Sequence, residues 1–296
     1  MEVLAPADLA AADSIPIRRL RWRHGNAALW LGVPLGLIVL SVIVVPMLGV
    51  LPNPTIQHLD ESRLPPVLWG GTWAHPLGTD LLGHDLLASM FYGGRLTLII
   101  GVLGAAVAVV PGTIIGLLAG YRRGWADAVI SRVIDAQLAL PFVLIAIAII
   151  SNRGHSLAIL ILVLALTGWA PCARVVRAAT LSIRTRPFTL SLRAAGASGT
   201  GIVVRHVLPN LASTVVALTT LMIGSAILVE SALSFLDLGV VPPQITWGSV
   251  LASGQEWVSQ AWWVAAFPGI AITIVVLLTN LLGDALLTQL DPRKRH

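Results

Sequence analysis

Long runs without a single charge decide what this chain can fold into. Residues 27–50, 96–119, 156–173, 211–229 and 263–282 carry no Asp, Glu, Lys or Arg, and 128–150 carries only Arg132 and Asp135. A helix needs about 20 mostly apolar residues to cross the hydrocarbon core of a bilayer. In that solvent every backbone polar group must be satisfied internally, which leaves helices or closed barrels. Hydrophobic residues make up 56% of the 296 and charged residues 11%, where soluble domains carry about a quarter charged. Such a chain cannot clothe a water-facing surface. The expectation is an all-α integral membrane protein with six transmembrane helices.

Arginine sets the expected orientation. With the N-terminus in the cytoplasm, the inner side receives Arg18, Arg19, Arg21, Arg23, Arg122, Arg123, Arg174, Arg177, Arg184, Arg186, Arg193, Arg205, Arg293, Lys294 and Arg295. The outer side keeps only Arg63, Arg95 and Arg153. Positive charge accumulates in cytoplasmic loops, so both termini are expected inside. The division that follows is a cytoplasmic segment 1–26, a first transmembrane helix 27–50 and an extracytoplasmic segment 51–95. After these come a core of five further spans over 96–288, containing an inner loop 182–210, and a cytoplasmic tail 289–296. The first apolar run is too long for the h-region of a cleavable signal peptide. A net charge of +5 does not argue for nucleic acid, because the basic residues are dispersed between spans rather than gathered in a stripe.

Several chemistries are missing. The only lysine is Lys294, so no phosphate-binding Walker lysine exists and ATP hydrolysis by that route is excluded. No metalloprotease, zinc or nucleophile-elbow motif is present, and Cys172 stands alone, without a disulfide partner. No catalytic or metal-ligating residues are assigned. His75, Asp80, His84 and Asp85 cluster on the outer side, but the surrounding turn residues suit a helix start better, with Asp80 as N-cap. Arg132 and Asp135, three apart, are positioned to pair on one helical face. Arg174 and Arg177 suit snorkelling anchors. Trp69, Trp73, Trp247, Trp257, Trp262 and Trp263 all fall outside the spans or at their outer ends, as interfacial anchors do. Glu230, an acid near the end of the fifth span, is a candidate with Ser231 and Ser234 for the translocation path or gate, because intramembrane acids are costly and usually functional; a helix-end hydrogen bond is the alternative.

The inner loop is the most informative stretch. A helical segment 187–195 is followed by Gly196-Ala197-Ser198-Gly199, a second segment 200–207, and Leu208-Pro209-Asn210. Glycine lets the backbone turn between two short helices, and Pro209 suits a point where a surface helix stops and turns into the membrane. The small residues Ala194, Ala195, Gly196, Ala197 and Ser198 allow another protein to approach closely.

These residues resemble the membrane permeases of binding-protein-dependent ATP-binding-cassette importers, specifically the second permease of the dipeptide, oligopeptide and nickel group. That family's loop reads Glu-Ala-Ala, three residues, Gly, nine residues, Ile-x-Leu-Pro. The chain matches its later part with Arg193-Ala194-Ala195-Gly196-Ala197-Ser198 and Arg205-His206-Val207-Leu208-Pro209-Asn210. Further matches are His75-Pro76-Leu77-Gly78-Thr79-Asp80, Gly83-His84-Asp85, Gly93-Gly94-Arg95, Gly116-Leu117-Leu118-Ala119-Gly120-Tyr121 and the run Ser231 to Gly239. Pro242-Pro243, Trp247-Gly248, Phe267-Pro268-Gly269, Asn280 to Asp284 and Leu290-Asp291-Pro292 carry the similarity to the end. Two departures stand out: Leu190-Ser191-Leu192 replaces Glu-Ala-Ala, and His84 replaces a usual arginine.

The resemblance implies a permease that forms half of a translocation path for peptides or a similar small solute. The implied partners are a second homologous permease, two cytoplasmic ATPases that bind ATP and Mg, and an extracytoplasmic substrate-binding protein. It implies no cofactor in this chain. Contact with the ATPase would fall to Arg193, Ala194, Gly196, Ala197, Ser198 and Arg205, with Leu208 and Pro209 hinging the loop to the fifth span. The competing class, an ion-gradient-driven secondary carrier, would show internal repeats and midspan charges, and neither is evident.

Overall fold

The computed structural model describes residues 27–122 and 124–290. The expected inner-side residues Arg18, Arg19, Arg21, Arg23, Arg123, Arg293, Lys294 and Arg295 lie outside them. Ten α-helices carry the described chain: α1 Ala27–Met47, α2 Leu86–Arg122, α3 Trp125–Ala139, α4 Phe142–Arg153, α5 Leu157–Arg184, α6 Pro187–Ala194, α7 Gly199–Ile202, α8 Leu208–Phe235, α9 Trp247–Gln255 and α10 Val258–Leu290. A π-helical turn, Val203–Val207, joins α7 to α8. Among the described residues no strand forms, only an isolated bridge between Thr79 and Asp85.

Five helices are long and apolar enough to cross a bilayer, counting α7 through α8 as one. The third expected span is different. Instead of one helix over 128–150, α3 and α4 form a pair bent by 82°. The break follows from Pro141: its ring disfavours helical backbone at the preceding residue, and Leu140 is extended at φ −83°, ψ 127°. Apolar content alone did not disclose this, because the residues around the break are uncharged. Prolines 34, 46, 111, 171 and 268 sit inside other helices, where membrane neighbours can re-satisfy the freed carbonyls.

The helices are held together by small residues. Lipid tails are as apolar as leucine, so apolar surface alone gives helices little reason to associate, and close packing does the work instead. Along α2, Gly104, Gly112, Gly116 and Gly120 face α5. A β-carbon would come within 2.8 Å of Leu164 Cδ1 at Gly104 and of Cys172 Cβ at Gly112, within 2.5 Å of the Ala173 carbonyl oxygen at Gly116, and within 2.7 Å of Thr180 Cβ at Gly120. Positions along α2 and α5 rise together, so the two run parallel. Gly101 admits Ile227 of α8, while Gly224 of α8 receives Thr279 and Asn280 of α10. The antiparallel α8 and α10 thereby close the bundle, and α1 packs outside against α2 and α10.

Gly116→Leu is expected to force α2 from α5, costing more than the ~1–3 kcal/mol typical of overpacking, because its nearest neighbour is backbone. Gly36→Leu, where nothing lies within 4 Å, is expected to be neutral. Size-exclusion profiles and thermal melts of the two detergent-solubilised variants check this.

Candidate functional site

Two ends of the bundle concentrate polar chemistry. At the end expected to face inside, α5 passes through Thr185 to α6, which begins with Pro187 at its first position. There the missing N–H costs nothing. The Thr189 hydroxyl donates to the Ile183 carbonyl at 2.9 Å and folds α6 back under α5. The exit of α6 is a Schellman cap: the Ala197 N–H donates to the Leu192 carbonyl at 3.0 Å and the Gly196 N–H to the Arg193 carbonyl at 3.1 Å. That motif needs left-handed backbone at the intervening residue, and Gly196 has φ 80°. Ser198 then caps α7, accepting from the Gly201 N–H at 3.2 Å.

This geometry sorts the loop into two faces. Thr189, Ile202, Val207 and Leu211 are buried, the last three in a cluster with Val109, Val176 and Ile183. Arg193, Ala194, Gly196, Ala197, Ser198, Arg205, Leu208 and Pro209, the residues singled out from sequence, are all exposed. The expected stop at Pro209 is absent: helical backbone runs from Gly199 to Phe235. Pro209 has no N–H to give, and the chain absorbs that defect as a wide turn over Val203–Val207, as π-bulges do. The Asn210 side-chain amide donates to the His206 carbonyl at 2.7 Å.

Above the loop, the arginines expected to snorkel are paired instead. Arg177 binds both carboxylate oxygens of Asp127 on α3, the second at 3.0 Å. Arg174 pairs with Asp135, so Asp135 does not serve Arg132. These partners lie on a different helix, which spacing within one segment cannot reveal. Tyr121, in the last turn of α2, lies beneath two guanidinium groups, with Arg193 at 5.4 Å and Arg184 at 6.0 Å from the ring centroid.

At the other end, α2 starts at Leu86, ten residues before the expected start of its span at Leu96. Its cap is Asp85 rather than Asp80: Asp85 Oδ1 accepts from the Ala88 N–H at 2.7 Å, and Oδ2 meets His75 Nδ1 at 2.8 Å. Asp80 closes a tighter turn, accepting from the N–H groups of Leu82 at 2.9 Å and His84 at 2.8 Å. His84 Nδ1 is 2.8 Å from Asp80 Oδ2. No group of three or more His, Cys, Asp or Glu able to hold a metal ion occurs among the described residues. Two of the expected anchor tryptophans are buried: Trp247 is 2% and Trp263 6% exposed. Their indole N–H groups donate to the carbonyls of Met90 at 2.7 Å and Thr79 at 3.0 Å. Trp69, Trp73 and Trp262 stay exposed. A cavity of about 560 Å³ opens between Thr55, Asp80, His84, Pro243, Ser249 and Ser253.

Glu230, Ser231 and Ser234 are brought together and enclosed. Glu230 has no exposed surface, and its carboxyl accepts from the Ser234 hydroxyl at 2.8 Å and meets that of Ser231 at 3.4 Å. Gly248 of α9 fits against this knot so closely that a β-carbon would lie 2.7 Å from Ser231 Cα. In this conformation the three residues tie α8 to α9 and do not line the outer cavity.

The described chain is thus a polytopic helical bundle with a small-residue loop exposed at one end and a cavity at the other. The family model for binding-protein-dependent transport system inner membrane components matches residues 112–296. The chain belongs to this family and is a membrane permease of an ATP-binding-cassette importer rather than an ion-gradient-driven carrier. It is 39% identical over 245 residues to the di/tripeptide transport system permease protein DppC of Pseudomonas aeruginosa, spanning 82% of this chain and 81% of the relative. The glutathione transport system permease protein GsiD of Pectobacterium atrosepticum is 37% identical over 263 residues, 88% of this chain and 86% of its own. The oligopeptide transport system permease protein OppC of Escherichia coli is 35% identical over 277 residues, 94% and 90% respectively. The inward-facing MetNI methionine ABC transporter superposes with a TM-score of 0.60 at 19% identity, covering 69% of this chain and 97% of that one, a likeness of fold.

Asp85→Ala is expected to lower stability by about 1–2 kcal/mol, the usual worth of a helix N-cap, and Asp85→Asn to restore most of it. Melting of the purified variants in one detergent distinguishes the two.

Proposed function

We propose that this permease forms half of the path by which short peptides, or a small solute of similar chemistry, enter the cell. In this reading 182–210 faces the cytoplasm and seats on a separate ATPase subunit, one of two that bind ATP and Mg. A second homologous permease completes the path. An extracytoplasmic binding protein delivers solute to the outer segments around 51–95 and 240–253. The N-terminal stretch 1–26 and the tail 289–296 lie on the inner side, and 96–288 with its five spans forms the permease core.

The observation that carries the reading is the inner loop. Its apolar side is buried against α5 and α8, while Arg193, Ala194, Gly196, Ala197, Ser198 and Arg205 are exposed in a compact, capped helix–turn–helix. A small, rigid, solvent-facing knob with two cations suits the cleft of another protein. Peptides are favoured as solute because relatives named for di/tripeptide, oligopeptide and glutathione transport share one chemistry, a short chain of amides. The enclosed Glu230 knot is assigned to the outer gate, which would have to loosen for solute to pass.

Coupling requires that the loop contact the ATPase differently in its nucleotide states. Gly196→Arg is a poor probe, because the left-handed backbone there would be strained by any side chain. Ala197→Arg, at an exposed position, adds bulk without that strain. We expect it to abolish trialanine uptake in proteoliposomes of the full complex, read beside ATP hydrolysis by the same preparation. Normal uptake by Ala197→Arg would remove 182–210 as the coupling element.

A further inference from the structure

Leu190, Ser191 and Leu192 of α6 carry no charge that could tie the helix to the bundle by an ion pair. Motion of the loop reaches the membrane only if α6 is held against the bundle at more points than the single Thr189 hydrogen bond. The ring of Tyr121 meets that need. It stands on the last turn of α2, the helix joined most closely to α5 through Gly112, Gly116 and Gly120. Over the ring lie Arg193, in the last turn of α6, at 5.4 Å and Arg184, in the last turn of α5, at 6.0 Å. The ring also packs against the cluster that buries Ile202, with Leu192 of α6 beside it. Its edge reaches the start of α7, where a β-carbon at Gly199 would touch it at 3.6 Å.

Segments of α5, α6 and α7 therefore converge on one aromatic side chain of α2. The interaction is made by the ring, since the phenol hydroxyl is buried and has no hydrogen-bond partner. Guanidinium groups are drawn to aromatic faces by the ring quadrupole, the more so where water is partly excluded. Such a contact resists displacement of Arg193 in every direction along the face, yet unlike a bidentate carboxylate it has no fixed azimuth. It can hold α6 while letting it swivel.

We infer that Tyr121 is the joint through which the inner loop moves the α2–α5 pair, a positioning residue that holds Arg193 and Arg184 by its aromatic face. This rests on the coupling reading of 182–210. The joint predicts that an aromatic ring is required at 121, that the hydroxyl is dispensable, and that an apolar side chain of similar bulk is insufficient.

The test uses the full complex in proteoliposomes, with its binding protein carrying trialanine, and reads trialanine imported per ATP hydrolysed. Tyr121→Phe is expected to stay within about twofold of the unaltered protein, and Tyr121→Leu to lose at least about fivefold, the scale of two partly exposed cation–π contacts. The ratio is insensitive to how much complex assembles, so a merely structural role for Tyr121 would reduce yield and leave the ratio alone. A normal ratio for Tyr121→Leu, or equal losses for Tyr121→Phe and Tyr121→Leu, overturns the joint. Ala197→Arg in the same assay separates the two readings. If it uncouples while Tyr121→Leu does not, the loop reading stands and the joint falls. If Ala197→Arg couples normally, the loop reading fails and the joint with it.

Discussion

The parallel contact between α2 and α5 is the constraint on which the other contacts depend. Two helices in lipid gain little by hiding apolar surface, so they must come close enough for backbone to touch backbone and side chain. Glycine at 104, 112, 116 and 120 permits that approach, and each lies against a particular atom of α5. Once these two helices are joined, α8 fits the groove beside Gly101 and α10 fits α8 through Gly224 and Gly283. The half-buried pair Arg177–Asp127 then attaches α3 to the C-terminal half of α5. A bidentate geometry of this kind is stronger and more directional than a single charged hydrogen bond.

The same pair of helices carries both chemical ends of the molecule. The start of α2 is capped by Asp85 and receives the indole of Trp247 on Met90, while its last turn presents Tyr121 to the inner loop. One helix, α2, thus runs from the loop to the cavity end of the bundle. The enclosed Glu230 knot lies on α8, the helix that continues from the loop without a break. Two routes therefore lead from inner loop to outer end, one through α2 and one through α8.

Much of this was legible in the sequence because charge and lipid are so incompatible. Uncharged runs located the spans, and the small-residue stretch around Gly196 located a helix–turn–helix whose first helix, Pro187–Ala194, ends one residue from its expected limit. What escaped depends on partners distant in the chain. Arg174 and Arg177 look like surface anchors until α3 supplies Asp135 and Asp127. Trp247 and Trp263 look like interfacial rings until the carbonyls of Met90 and Thr79 appear beneath their N–H groups. Pro141 was visible, but proline is common within membrane helices, and only the extended backbone at Leu140 shows that this one breaks its span. Asp80 and Asp85 both suit a cap, and the choice fell to the turn geometry between them.

The wide turn at Val203–Val207 has a consequence for how this region tolerates change in length. In a regular helix, residues five apart point about 140° away from each other, since each residue advances about 100°. Ile202 and Val207 are five apart, yet both are buried in one cluster with Leu211. The extra residue of the π turn restores their phase, acting as a vernier between the short inner helix and the membrane helix. Deleting one residue from this turn would regularise the hydrogen bonding and yet rotate the inner loop relative to the bundle. The loop's outward azimuth is thus encoded in a count of residues as much as in their identities.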